Sequence, residues 1–375
     1  MKKIKQFVVL GLCLLVSAMF MLPAGAAQDE PSSVQKGLIY NKPGVVFITN
    51  YYTVDLVVQT AAGYPELSGG TYEVTTGNMG SGFTVNPNGY ILTNGHVVKS
   101  TEDELAYNSL AQAVELMIQD IVTIEYQKQS GFAPTQQEMD KMYPLVMQEL
   151  GGYESALNLF YQGWRAGEIK MTNVEQNVFV QQGAFVSGVK IPFEQGMKAE
   201  IKRVDYDGFT AEGEVKGKDI ALLKVNTSNM PSVLLGDSED VEVGDHINVI
   251  GYPGVATFES FLAEESQLEP SMTSGIISAE KTMKDGTQIF QTDAAITHGN
   301  SGGPAFLDSG EVIGIASMVS IDDATGVQKE GFSYLRPIDL AKEFLTENNV
   351  TNELGEADKH YRKGLNEYWA KHYTA

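Results

Sequence analysis

The sequence predicts a mainly β fold that carries one helical block and a helical tail. Three observations predict it. Short apolar stretches recur between Gly- and Pro-bearing turns from Val45 to Leu335, the pattern of a sandwich or barrel. Over residues 101–166 the apolar period changes to that of a helix. From about Ala341 the chain is polar and helical again.

The first 26 residues read as a secretory signal. Lys2, Lys3 and Lys5 precede an apolar run from Phe7 to Leu22, and Ala24-Gly25-Ala26 fits a small-residue cleavage site. The alternative is a retained anchor, but the run is short for a span of about 20 residues. No other stretch is apolar enough to cross a membrane. The single cysteine, Cys13, lies inside the signal and lacks the preceding Gly or Ala of a lipoprotein signal. The mature chain would therefore have no disulfide and no cysteine metal site. With 48 acidic and 26 basic residues the net charge is -22, which argues against nucleic acid and anionic membranes as partners.

Each element has its own signal. VVFITNYYTVDLVVQT, after Pro43-Gly44, is strand-like. GSGFTVNPNGYILT reads as strand, turn, strand, with Asn86-Pro87-Asn88-Gly89 as the turn. In the helical block, Thr101 and Glu104 form a capping-box pattern, and Thr135 and Glu138 repeat it. Leu110, Val114, Met117 and Ile121 follow the first at helical spacing; Met139, Met142, Val146 and Leu150 follow the second. Pro144 predicts a kink and Gly151-Gly152 an end; Ala156, Leu157, Phe160 and Trp164 predict a third helix. Strands are expected again at 177–180, 198–204, 220–225, 246–250, 275–278, 288–291, 312–317 and 331–335. In the tail, residues 346–375, Ala357, Tyr361, Leu365 and Tyr368 have the spacing of one tetratricopeptide-like helix. It reads as a plain surface helix or the stub of a truncated repeat array.

The chemistry centres on Gly299-Asn300-Ser301-Gly302-Gly303-Pro304. A serine hydroxyl is a weak nucleophile without a base to take its proton. The chain has five histidines. His96 stands at a strand end, after Thr93-Asn94-Gly95; His298 is too close to Ser301 in sequence for an easy approach; His246, His360 and His372 lie beside a strand or in the tail. A third group would hold the imidazole tautomer, and Asp219, just before the apolar strand IALLKV, is the candidate. A turn aspartate and a loop histidine are the bland readings of the same residues. GNSGG also fits the nucleophile elbow of α/β-hydrolases. That elbow needs a helix straight after the serine, with Asp and then His downstream. Gly-Gly-Pro follows here, so that fold is rejected.

Taken together, TNGHVV, KDIALLKV and GNSGGP, in the order His, Asp, Ser, resemble the chymotrypsin-like serine proteases. GSGF at 80–83, GYILTNGH at 89–96, SMTSGIIS at 271–278 and QTDAAI at 291–296 are close to the HtrA-type (DegP-like) branch. The resemblance covers about Gly80 to Pro337, outside the helical block. It implies two six-stranded antiparallel β-barrels within a protease domain over residues 27–345. It also implies Ser301 as nucleophile, His96 as general base and Asp219 as its orienting partner. The Gly299 and Ser301 N–H groups would form the oxyanion hole. Ala295 would floor the primary pocket and favour small to medium apolar side chains. The strand Ile315-Ala316-Ser317 would pair with substrate backbone.

Two departures from that branch stand out. Too few residues follow Pro337 for the PDZ domain that HtrA-type proteins usually carry, which leaves PDZ-gated control unsupported. The helical block lies between His96 and Asp219, where the family has a short connection. It reads as a structural insertion rather than a lid. The expected function is serine endopeptidase action on exported or misfolded polypeptides, outside the cytoplasm, with no cofactor and no metal. The alternative is a catalytically silent module that binds extended peptides.

Overall fold

The computed structural model describes residues 30–60, 67–183, 196–209, 215–254, 269–321 and 328–372. The expected signal at 1–26, with Cys13, lies outside them.

A short helix, α1 (Ser33–Asn41), leads into the first barrel. Its start is a capping box between Ser32 and Gln35. The first barrel comprises β1 (Val45–Val58), β2 (Thr71–Asn86), β3 (Tyr90–Thr93), β4 (Ile169–Gln182), β5 (Met197–Asp205) and β6 (Ile220–Val225). A one-turn helix α2 (Gly95–Val98) and the inserted helices α3 (Glu102–Ser130), α4 (Gln136–Glu149) and α5 (Tyr153–Arg165) fall between β3 and β4. The second barrel comprises β7 (His246–Gly251), β8 (Ser271–Thr282), β9 (Gln288–Thr292), β10 (Pro304–Leu307), β11 (Val312–Ile321) and β12 (Gln328–Pro337). Two helices, α6 (Asp339–Glu347) and α7 (Glu356–Trp369), follow it.

Both sheets close, in the orders β1-β2-β3-β6-β5-β4 and β10-β11-β12-β9-β8-β7, with every pairing antiparallel. Closure leaves no long edge along the barrel wall. This is the two-barrel chymotrypsin-like fold that the motifs implied. Strand β10 had no clear sequence signal, because Pro304 opens it and only four residues form it. Its partners β7 and β11 supply the order.

The Asn86–Gly89 turn forms as expected. The Asn88 N–H donates to Asn86 Oδ1 and Gly89 takes φ +85°, a conformation open to glycine at little cost.

Both capping boxes in the insertion are present, at Thr101/Glu104 and Thr135/Glu138, and Pro144 lies inside α4. The apolar faces of α3, α4 and α5 do not pack on the barrel interior. They cover an extension of β1, β2 and β4. Leu110, Val114, Met117 and Ile121 of α3 share one buried cluster with Val54, Leu56 and Val74. The Tyr72 hydroxyl of β2 donates to Asp120 of α3 at 2.7 Å. The insertion is thus a second small core built onto a lengthened hairpin.

A separate cluster joins the barrels: Phe47, Phe83 and Leu222 of the first meet Ile250, Phe306 and Ile315 of the second, with Phe344 of α6. The tail helix α7 is anchored as well. Asp358 is buried and accepts the Ser232 N–H at 2.9 Å. Trp369 packs on Tyr40 of α1 with ring centroids 5.7 Å apart.

Candidate active site

β3 ends at Thr93, and Asn94 caps the single turn α2 that carries His96. The turn is held from across the barrel: Asn94 Nδ2 donates to the Asp219 carbonyl at 2.9 Å. Gly95 is required here, because a Cβ would lie 2.5 Å from the Tyr206 Cβ.

Asp219 is fully buried and has φ +56°. A non-glycine residue seldom holds that left-handed backbone unless its surroundings enforce it. Here the Asp219 N–H is tied to the Asp205 carbonyl at 2.8 Å. The carboxylate is aimed at His96: Nδ1 lies 3.0 Å from each Asp219 oxygen, and the His96 N–H donates to Oδ1 at 3.0 Å. The His96 side chain itself is 23% exposed, so the ring is not sealed from solvent.

The electrostatics favour a charged pair. Burial opposes the imidazolium, but the Asp219 carboxylate and its hydrogen bond outweigh it and hold His96 above its ordinary value. Burial likewise pushes the Asp219 carboxyl up. His96, the Arg336 guanidinium and the His96 backbone N–H together outweigh that, and the net direction is down.

From the second barrel come the residues after β9. Ser301 is half-buried, and its Oγ donates to the Ser317 carbonyl at 3.1 Å. Ser317, on β11, turns its own hydroxyl to Asp219 Oδ2 at 2.7 Å. One residue therefore touches both the serine loop and the carboxylate. Gly302 (φ +88°) packs on the other side: a Cβ there would stand 2.2 Å from Thr93 Oγ1 and 3.1 Å from the Asn94 N. The three sequence candidates, His96, Asp219 and Ser301, thus converge on the seam between the barrels.

Gly299 (φ +100°) sits where a Cβ would be 2.3 Å from the Tyr252 carbonyl. Ser81 fixes the loop, its Oγ donating to the Gly299 carbonyl at 2.7 Å while its N–H donates to the Ser301 carbonyl at 2.8 Å. The His298 carbonyl is drawn away by the Gly254 N–H at 2.8 Å. Among the described residues, no acceptor takes the N–H of Gly299 or of Ser301. Two such donors on one loop are suited to charge that develops on a substrate oxygen.

The remaining candidates separate. Ala295 is exposed, and its carbonyl accepts from Thr273 Oγ1 at 2.8 Å. The Ile315 and Ala316 side chains are buried in core clusters. Ala316 gives its N–H to Gly303 and its carbonyl to Gly302. No cluster of metal-ligating residues is present among the described residues.

Sequence reasoning missed three contributors. The sequence points to Ser317 for its backbone, yet its hydroxyl is what reaches Asp219. Ser81 stands in the sequence only as part of a motif. Arg336, a fully buried arginine near Asp219, had no sequence signal, since burial of a guanidinium is decided by the fold.

Residues 171–315 match the family model described as a trypsin-like peptidase domain. A probable periplasmic serine endoprotease, DegP-like, from Halomonas elongata is 40% identical over 142 residues, covering 36% of this chain and 27% of that protein. A protein of the same description from Pseudomonas putida is 40% identical over 126 residues, covering 33% and 23%. The chain thus spans about a quarter of the length of these relatives. Among solved structures, an HtrA-type protease with a decapeptide aligns at 18% identity and a TM-score of 0.43, covering 85% of this chain and 67% of that one. Over residues 171–315 the chain is similar to trypsin-like peptidase domains, and over about a third of its length to DegP-like serine endoproteases.

Proposed function

We propose that the protein is a serine endopeptidase acting through Ser301, His96 and Asp219. One observation carries the reading: the buried Asp219 carboxylate faces His96 Nδ1, and Ser317 joins that carboxylate to the Ser301 loop. Asp219 keeps the proton on Nδ1 and leaves Nε2 free to act as a base. For the reaction the Ser301 hydroxyl must leave the Ser317 carbonyl and take the imidazole as its acceptor. Catalytic hydrogen bonds often tighten only once substrate is bound.

The Ser301 Oγ then bonds to the scissile carbonyl carbon, and its proton passes to His96 Nε2. The carbonyl π electrons move to oxygen, where the Gly299 and Ser301 N–H groups receive the charge. Collapse breaks the C–N bond, and His96 gives its proton to the leaving amine. Water repeats the sequence on the acyl-enzyme and regenerates Ser301. No cofactor enters these steps.

Substrates are extended polypeptides of exported or misfolded proteins, whose backbone adds along β11 from Ser317. With Ala295 at the pocket floor there is no carboxylate to select Arg or Lys, so small to medium apolar side chains fit best. The periplasmic description of the relatives supports action outside the cytoplasm after removal of the signal at 1–26. Neither nucleic acid nor an anionic membrane suits a chain whose full sequence carries a net charge of -22.

A silent peptide-binding module is the second reading. It draws on the Ser301 hydroxyl, which rests on a backbone carbonyl rather than on His96. A fluorophosphonate probe separates the two. Labelling of the wild type that vanishes in Ser301→Ala supports the protease. A folded wild type that takes up no label supports the module.

A further inference from the structure

The inserted helices meet the candidate triad at one point. Glu104 occupies the first turn of α3, and its two carboxylate oxygens have separate tasks. Oε2 accepts the Thr101 N–H at 2.8 Å, as a capping box requires. Oε1 accepts the Tyr206 hydroxyl at 2.7 Å. Tyr206 follows β5 and is buried, and its ring centroid lies 6.2 Å from that of His96 at 59°. The same tyrosine packs under Gly95, where a Cβ would come within 2.5 Å. Lys99 grips its backbone carbonyl at 2.5 Å. Gly208 (φ +83°) lets the connection after β5 close over the helix start, where a Cβ would stand 2.8 Å from Thr101 Cγ2.

We infer that Glu104 is a positioning residue for His96, acting through the Tyr206 ring, so that docking of the inserted helices sets the imidazole. This rests on the protease reading above. The insertion is then neither a lid nor an inert ornament. It supplies the carboxylate that fixes the wall behind the histidine. A tyrosine with a free hydroxyl could rock about its ring axis; one tied to a helix N-terminus, itself tied to Thr101, is held. Orientation errors of the general base are costly, since displacement by about 1 Å can cost roughly 100-fold in rate.

Charge gives a second handle. The groups that act on His96 are Asp219 before β6, Arg336 on β12 and Glu104 on α3. Burial lowers the imidazole and Asp219 raises it; Arg336 lowers it and Glu104 raises it. Removing the Glu104 charge must therefore move His96 down.

Glu104→Gln suits the test, because Gln also closes a capping box and the helix start is kept. Tyr206→Phe keeps the ring and removes the tie. Glu102→Gln, an exposed carboxylate in the same turn, is the control. The His96 imidazole is followed by NMR in a Ser301→Ala background, assigned by difference against His96→Gln, so the readout needs no activity. The expected result is a His96 midpoint displaced to lower pH in Glu104→Gln and unmoved in Glu102→Gln.

In the active background, fluorophosphonate labelling against pH gives the parallel readout. Glu104→Gln should retain a larger share of its plateau rate in acid. Tyr206→Phe should lose about tenfold at the plateau, through misorientation of the base. For a peptide substrate this loss should fall on kcat rather than KM. If His96 titrates alike in all variants and the plateau rates agree, the inference is overturned. If the midpoint moves but no form is labelled, Glu104 stands and the protease reading falls.

Discussion

The Ser317 hydroxyl, on the second barrel, donates to Asp219 Oδ2, on the first, across 2.7 Å. Asp219 thereby receives a donor from each barrel, and its orientation reports whether the barrels are docked. Removal of this hydroxyl in Ser317→Ala deletes a hydrogen bond to a charged group, worth about 1.5–3 kcal/mol. If that falls on the transition state, kcat/KM drops by roughly one to two powers of ten, while Ser317→Thr retains most of the activity. Steady-state kinetics on a chromogenic peptide checks both.

Asp219→Asn should keep the fold and lose about 10⁴ in kcat, because the amide favours the wrong imidazole tautomer. Its pH profile should move as well. Asp219 holds His96 above its ordinary value, so the residual activity of the variant should show its acid limb at lower pH than the wild type.

Stability should depend on pH on both flanks of the pair. Asp219 is held below the ordinary carboxylate range, so its contribution is present above the unfolded value and is lost as pH falls through the folded one. His96 is held above its ordinary value. Its contribution is complete below the unfolded value and is lost as pH rises through the folded one. Urea midpoints should peak between the carboxylate and imidazole ranges, and His96→Gln should flatten the alkaline flank.

Gly302→Ala should abolish probe labelling. The added Cβ would lie 2.1 Å from the Ser81 carbonyl at a backbone φ of +88°, so both sterics and conformation oppose it. Loss of labelling with circular dichroism preserved would place the damage in the serine loop, and wild-type labelling would show that the loop has another arrangement.

On the insertion, Ile118→Ala should cost about 2–5 kcal/mol, as for other buried large-to-small changes. Ile118 is fully buried in the cluster shared with the β1–β2 hairpin. Tyr72→Phe, which removes the bond to Asp120, should cost about 1 kcal/mol. Thermal unfolding that left either variant unchanged would show that the helices do not stabilise the hairpin.

The sequence by itself determined the β class, the closed turn at Asn86–Gly89 and both capping boxes of the insertion, and it offered His96, Asp219 and Ser301 as candidates. These are local signals: a turn's backbone demands, a helix start's unpaired N–H groups, or a short motif. Extent was less legible. Strands β1, β2 and β4 run 14, 16 and 14 residues, longer than their apolar cores suggest, because the inserted helices cover their outer ends. Strand β10 and helix α1 were missed for want of length or periodicity.

Only the tertiary structure decided which carboxylate faces His96. Many aspartates precede strands; Asp219 is set apart by burial and by a positive φ that its neighbours enforce. The same holds for Ser317, Arg336 and the Glu104–Tyr206 tie. Each joins residues far apart in the chain, and a hydrogen bond between distant residues leaves no mark on the residues between them.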